Sequence, residues 1–138
     1  MGIKRYYANA DTTISNAFKS DLTTRATGSN MGQADILEVF SIYGQASTTS
    51  SELSRVLIQF PISDISTDRT NGNIPASGSV SFYLRMFNAE HSQTLPRNFV
   101  LEVSAAASGW EEGNGLDMEG YTDLTYGEVG SNWTNREG

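Results

Sequence analysis

The chain of 138 residues contains no cysteine and one histidine, His91. The lack of cysteine excludes disulfides, thiolate zinc sites, iron–sulfur clusters and thiol nucleophiles. A single histidine excludes a histidine-rich metal site. Basic residues are also scarce, with nine Lys and Arg against 16 Asp and Glu. Since nucleic-acid binders usually carry basic patches, the net charge of −7 leads us to expect no nucleic-acid partner.

The sequence also lacks an apolar run long enough to cross a bilayer, so we expect no membrane partner. Lys4 and Arg5 stand near the first residue, but no apolar segment follows them as in a secretion signal. We therefore expect synthesis in the cytoplasm without a signal peptide. The protein would then leave the cell only by lysis, by a signal-free route or as part of a particle.

Serine and threonine are abundant, at 30 residues together, and 13 glycines accompany them. Hydroxyl side chains suit solvated strand faces and glycine suits turns, so this composition is typical of an all-β protein. The length predicts one domain over residues 1–138. Within it we expect the main strands in residues 1–104 and an acidic, Gly-rich loop region in residues 105–138.

Period-2 alternation of apolar and polar residues predicts most of the strands. A short helical turn is expected over Ser63 to Arg69. Six strands without intervening helices favour an antiparallel β-sandwich or jelly roll. The strands are expected at residues 4–8, 11–18, 36–43, 55–60, 79–86 and 99–104.

The last quarter of the chain carries the whole net charge. Residues 102–138 hold eight acidic residues and one basic residue, whereas the two signs cancel before them. Nothing after Trp133 completes a strand pair, so a sandwich that ended here would leave an open edge. We therefore expect the fold to be incomplete at the C-terminus. Either the natural chain continues past Gly138 or another chain supplies the missing strands.

Six short motifs follow one another along almost the whole chain. They are Ala10-Asp11-Thr12, Asn30-Met31-Gly32, the segment 55–65 (RVLIQFPISDI), Phe82-Tyr83-Leu84-Arg85, Trp110-Glu111-Glu112 and Trp133-Thr134-Asn135. In this order they resemble the DNRLRE, or disaggregatase-related, family of jelly-roll domains, although that family's usual C-terminal strands are absent. The opening Met-Gly-Ile-Lys-Arg-Tyr is similar to virion structural proteins of marine tailed phages such as cyanophages. The resemblance implies a non-enzymatic particle component, or an extracellular carbohydrate-binding or adhesion module as elsewhere in the family.

We expect no catalytic residue. His91 is the one candidate base, with Glu90 and Ser92 beside it on a loop. Adjacent residues on a loop rarely converge into a catalytic triad. Glu111 and Glu112 are neighbours that point to opposite faces of a strand, so they do not form a glycosidase pair. The chain is therefore expected not to be an enzyme.

A structural calcium ion is the one cofactor for which the sequence offers ligands. Asp117, Glu119 and Asp123 place three carboxylates around Gly120, although without the spacing of an EF-hand. The family resemblance implies Asp11 as a further ligand, because relatives of that family are often stabilised by calcium.

Tyr121 and Tyr126 in the acidic loop are the candidate glycan-binding pair, since exposed aromatic rings bind sugars. Two functions remain open. The first is a virion structural protein of a tailed phage, either a capsid decoration or cement protein or a fibre or tail component. It would assemble through sheet faces and edges as a homo-oligomer with other virion proteins. The alternative is a carbohydrate-binding or adhesion module, and a virion protein of this kind could also bind a host surface glycan.

Overall fold

The computed structural model describes residues 2–92, 98, 100–116 and 129–137. The fold of these residues is β-rich, with a three-stranded antiparallel sheet in the order β1-β3-β2 and one short α-helix. Two compact units are present: the helix unit comprises Met1–Arg5 and Ile62–Ala107, and the sheet unit comprises Tyr6–Pro61 and Ser108–Gly138. The elements are β1 (Ala10–Ser15), β2 (Ser41–Tyr43), β3 (Ser51–Gln59), α1 (Ile62–Thr70) and a 3₁₀ turn (Ser77–Ser79).

The central strand of the sheet unit is β3. Its β-branched and aliphatic residues favour extended backbone, as do the threonines and isoleucine of β1. Thr12 lies opposite Leu57 and Ile14 opposite Arg55, while Ile42 of β2 lies opposite Glu52. Pro61 follows two residues after the end of β3, and proline cannot donate to a strand ladder.

The interior of the sheet unit is small and largely polar. Its buried apolar residues among those described are Ile14, Ala17, Ala26 and Met31, and two of these are alanines. The largest fully buried side chains are polar, beginning with Glu52 and Asn30. Because alanine contributes little apolar area, this core provides less hydrophobic stabilisation than one built from large aliphatic side chains.

Asn30 joins three segments of the sheet unit through its side-chain amide, which is fully buried. Its Nδ2 donates to the carbonyls of Glu112 and Ser131, at 2.7 and 2.8 Å. Its Oδ1 accepts from the backbone N–H groups of Gly32 and Gly115, at 3.1 and 2.9 Å. All four hydrogen-bonding positions of the amide are therefore used, and residues 111–116 and 129–131 are held against the loop after β1.

Glycine is required where the backbone approaches Asn30. A Cβ atom at Gly115 would collide with the backbone carbonyl of Asn30. Gly113 has a φ of 84° and also lies against the Asn30 amide, so a side chain there would meet both strain and steric overlap. In the described part of the acidic, Gly-rich loop region expected over residues 105–138, residues 111–116 and 129–131 pack around Asn30, because the glycines allow a close approach.

The helix unit contains α1, which confirms and extends the helical turn expected at Ser63 to Arg69. Gly72, with a φ of 73°, ends the helix in a Schellman motif. In this motif the N–H of Asn73 donates to the carbonyl of Asp68, and the N–H of Gly72 donates to that of Arg69. Lys4 Nζ lies 2.9 Å from Asp68 Oδ2 and joins the first residues of the unit to the helix.

Three of the expected strands are not strands in the described residues: residues 4–8, residues 79–86 and residues 100–104, the described part of 99–104. The alternating pattern is real, but a strand also requires a neighbouring strand for its backbone groups, and none of the described residues pairs with these segments as a strand. The expected strand at 36–43 is shortened to Ser41–Tyr43, because the N–H groups of Glu38 and Phe40 donate to the side-chain hydroxyls of Thr13 and Ser54 and not to backbone carbonyls of β3. A second sheet is therefore not formed within the part of the chain described, and the other strand predictions are confirmed at Ala10–Ser15 and Ser51–Gln59.

Replacing Asn30 by alanine should destabilise the sheet unit by about 3 kcal/mol, because four backbone groups, buried or partly buried, lose their partner. Chemical denaturation followed by circular dichroism measures this change. Asn9→Ala is the matched control, since Asn9 is exposed, and should change the free energy of unfolding by less than about 0.5 kcal/mol. Equal effects of the two substitutions would contradict the role given to Asn30.

Candidate functional site

Most residues of the expected sites lie outside the described residues. These are the glycan-binding candidates Tyr121 and Tyr126 and the calcium ligands Asp117, Glu119 and Asp123. Asp11 is described and lies in β1, with its backbone opposite Ile58 of β3.

Asp11 and Glu112 form a carboxylate pair at the outer edge of β1. Glu112 Oε1 accepts the backbone N–H of Asp11 at 2.8 Å, although the two residues are 101 positions apart. Burial raises the pKa of the Asp11 carboxyl above its ordinary value of 3.8, and the negative charge of Glu112 raises it further. The sequence did not indicate Glu112 as a partner of Asp11, because tertiary contacts such as those of Asn30 bring the two residues together.

A calcium ion needs more oxygen ligands than this pair supplies. Among residues 2–92, 98, 100–116 and 129–137, no group of three or more His, Asp or Glu side chains lies close enough to hold a metal ion. The structural calcium of the sequence prediction therefore stays a prediction.

The aromatic side chains of the described residues divide into exposed and covered rings. Tyr83 of the helix unit is 89% exposed and Tyr7 of the sheet unit is 80% exposed. Trp133 is half-buried, and the guanidinium of Arg55 on β3 lies 4.6 Å from its ring centre. This cation–π contact attaches the C-terminal segment to the sheet, so Trp133 has a structural partner.

His91 lies on an exposed segment, where its Nε2 is 3.2 Å from Nδ2 of Asn88. Asn88 carries an amide. A catalytic triad drawn from the sequence would instead use the adjacent Glu90 and Ser92. The expectation that the chain is not an enzyme stays a prediction.

Glu52 is a buried carboxylate that the sequence analysis did not single out. It is 1% exposed, its Oε2 accepts the backbone N–H of Phe18 at 2.9 Å, and its Oε1 has no hydrogen-bond partner among the described residues. Extending the alternation of β3 two residues before Ser54 would have placed Glu52 on the same face as Val56 and Ile58. Glu52 lies opposite Ile42, so the face of β2 that carries the Ile42 side chain is the face toward the interior.

The two edges of the sheet differ in how they are covered. At the β1 edge, Glu112 accepts the N–H of Asp11, and the hydroxyl of Thr12 accepts the N–H of Met31. At the β2 edge, Ile42 and Tyr43 are exposed, and the exposed fraction of Tyr43 is 73%. The β2 edge is therefore a strand edge open to pairing.

Hydrogen bonds to β3 establish which backbone groups of β2 point outward. The carbonyl of Phe40 accepts from Ser54, and the N–H of Gly44 donates to Ser50. Backbone groups of successive residues alternate in direction, so those of Ser41 and Tyr43 point away from β3. The described residues supply no partner for these four groups.

Comparisons with known proteins give no match to a family model, to a curated protein or to a solved structure. The resemblance to the DNRLRE family therefore stays a prediction. No helix in the described part of the chain has the length and apolar character that crossing a membrane requires.

Replacing Asp11 by asparagine should stabilise the protein at neutral pH. Because the folded carboxyl has the higher pKa, the folded state binds more protons than the unfolded state just above pH 3.8. The contribution of Asp11 to stability therefore falls as pH rises through this interval and stays reduced above it. Unfolding measured between pH 3 and pH 8 should show a gain for Asp11→Asn that disappears at the acidic end.

Glu112→Gln is the control, since it removes the charge but keeps a side-chain oxygen that can accept the N–H of Asp11. It should reduce the pH dependence only in part, because burial of Asp11 is the larger cause. A pH profile unchanged by Asp11→Asn would contradict the assignment.

Proposed function

We propose that this chain is a non-enzymatic structural protein that assembles with copies of itself, as a component of a tailed-phage virion. The particle is inferred from the resemblance of the motifs, and a capsid decoration or cement protein and a fibre or tail component both fit it. The observation that carries the proposal is the contrast between a small polar core and well-patterned apolar segments that remain exposed.

The exposed segments lie in the helix unit. Phe82 is 64% exposed, Phe87 is 92% exposed and Val100 is 88% exposed. Burying a large apolar side chain stabilises a folded protein by about 1.5–3 kcal/mol. A single copy that leaves several such side chains in water therefore lacks much of the hydrophobic stabilisation that its sequence offers. Contiguous exposed apolar residues mark interaction sites in soluble proteins.

The partners that we propose for these segments are copies of the same chain. Their alternating pattern is that of strands, and a strand without a neighbour can pair with one from another subunit. The antiparallel sandwich or jelly roll expected from the sequence would then be completed between subunits. Symmetric self-association is the commonest way for a soluble protein to bury such surfaces.

Analytical ultracentrifugation of the full chain over a range of concentrations tests the proposal. The expected result is a mass that rises above the monomer mass of 15.0 kDa as concentration increases. The double substitution Phe82→Ser with Phe87→Ser should shift association to higher concentration, because it removes exposed apolar area from the contact.

Ile62→Ser is the matched control, since Ile62 is a 66% exposed apolar residue of the same unit outside these segments. It should leave the association unchanged. A mass of 15.0 kDa at every concentration would overturn the proposal.

Binding of carbohydrate is the second candidate, favoured by the high exposure of Tyr83 next to the exposed ring of Phe82. Adjacent exposed rings offer flat apolar surfaces on which sugars stack. A glycan array probed with the chain and with Tyr83→Ala would show binding lost in the variant. A monomer that binds glycans through Tyr83 would favour this function over assembly.

A further inference from the structure

We infer that the β2 edge pairs with the β2 edge of a second copy of this chain, antiparallel and about a two-fold axis at Ile42. The inference rests on the proposed function and names the contact through which self-association begins. In this arrangement the sheets of two copies join into one six-stranded sheet in the order β1-β3-β2-β2-β3-β1.

The open backbone groups of β2 have the spacing that antiparallel pairing needs. Ser41 and Tyr43 both present N–H and C=O groups away from β3. A two-fold axis at Ile42 places Ser41 opposite Tyr43 of the second copy and Ile42 opposite its own copy. Each Ser41–Tyr43 pair then exchanges two N–H to C=O hydrogen bonds, so all four open groups of β2 gain a partner.

The side chains are compatible with this register. Ile42 is 38% exposed, and pairing brings it beside its own copy across the strands. Cross-strand contacts between apolar side chains stabilise antiparallel sheets. None of the three residues of β2 is charged, so like charges do not face one another along the edge.

The neighbouring registers are poorer. An axis at Ser41 would place Tyr43 opposite Val39, which lies outside β2, because the preceding Glu38 is hydrogen-bonded to the side chains of Thr13 and Ser54. An axis at Tyr43 would place Ser41 opposite Gln45, which also lies outside β2. The edge also lacks proline and lysine, the residues that usually prevent edge-to-edge pairing.

A contact through so short a strand buries little area, so its affinity should be at the weak end for specific interfaces. Covalent trapping is the suitable measurement for a weak contact. Because the chain has no cysteine, each single substitution to cysteine introduces one thiol. The Cα atoms of directly opposed antiparallel residues lie about 4.5–5.5 Å apart, within the range that a disulfide spans.

Ile42→Cys should give a disulfide-linked dimer of the full chain under mild oxidation, seen on a non-reducing gel. Ile62→Cys is the control, since Ile62 is also an exposed isoleucine but lies on α1. It should remain monomeric. Equal dimer formation by the two variants would indicate random collision and overturn the inference.

The register has its own test. A mixture of Ser41→Cys and Tyr43→Cys should form the mixed dimer, whereas each variant alone should not. In this arrangement the two copies of residue 41 are two residues out of register, about 7 Å along the strands. Dimers formed by Ser41→Cys alone but not by the mixture would overturn the register.

Ser41→Pro provides a test without thiols. It removes the outward N–H of Ser41 but none of the bonds from Phe40, Ile42 and Gly44 to β3, and proline is tolerated on edge strands. Association measured by ultracentrifugation should weaken in Ser41→Pro and persist in Ser41→Ala, with circular dichroism confirming that both remain folded. Unchanged association in a folded Ser41→Pro would overturn the inference.

The outcomes separate this inference from the proposed function. A chain that self-associates while Ile42→Cys stays monomeric would overturn edge pairing and leave the assembly proposal standing. A chain that is monomeric at every concentration and does not cross-link through Ile42→Cys would overturn both.

Discussion

The buried amide of Asn30 is the interaction on which the sheet unit depends. It is the group that holds the segment after residue 108 against β1, through carbonyl oxygens of Glu112 and Ser131 and the N–H groups of two glycines. An amide can serve this purpose because it offers two donors and an acceptor oxygen with two lone pairs in one plane. Neither an acidic nor an apolar side chain of this size supplies both kinds of hydrogen bond.

The two edges of the sheet differ as a consequence of that junction. Glu112 is placed beside Asp11 because Asn30 holds its backbone, and its carboxylate then covers an N–H at the β1 edge. The same contact places two negative charges close together, which raises the pKa of Asp11. The β2 edge has no equivalent cover in the described residues. In the assembly that we propose, pairing is therefore directed to one side of the sheet, where the exposed side chains are Ile42 and Tyr43.

A small polar core and exposed apolar segments have one physical explanation. Hydrogen bonds such as those of Asn30 and Glu52 specify geometry, but each contributes only about 1 kcal/mol net to stability. The larger contribution comes from burying apolar surface, and much of that surface lies in segments without a partner strand. On this view the assembled state completes the hydrophobic stabilisation that a single copy leaves unrealised.

The sequence by itself determined the β-rich class, the strands around Thr12 and Val56, and the helical turn before Gly72, because these follow from local pattern and turn chemistry. Which of the alternating segments pair as strands was decided only by the tertiary structure. The segments at 79–86 and 100–103 alternate as well as β3 does, yet alternation does not reveal whether a neighbouring strand exists. The Asn30 junction and the Asp11–Glu112 pair join residues more than 80 positions apart, and no local pattern encodes that proximity.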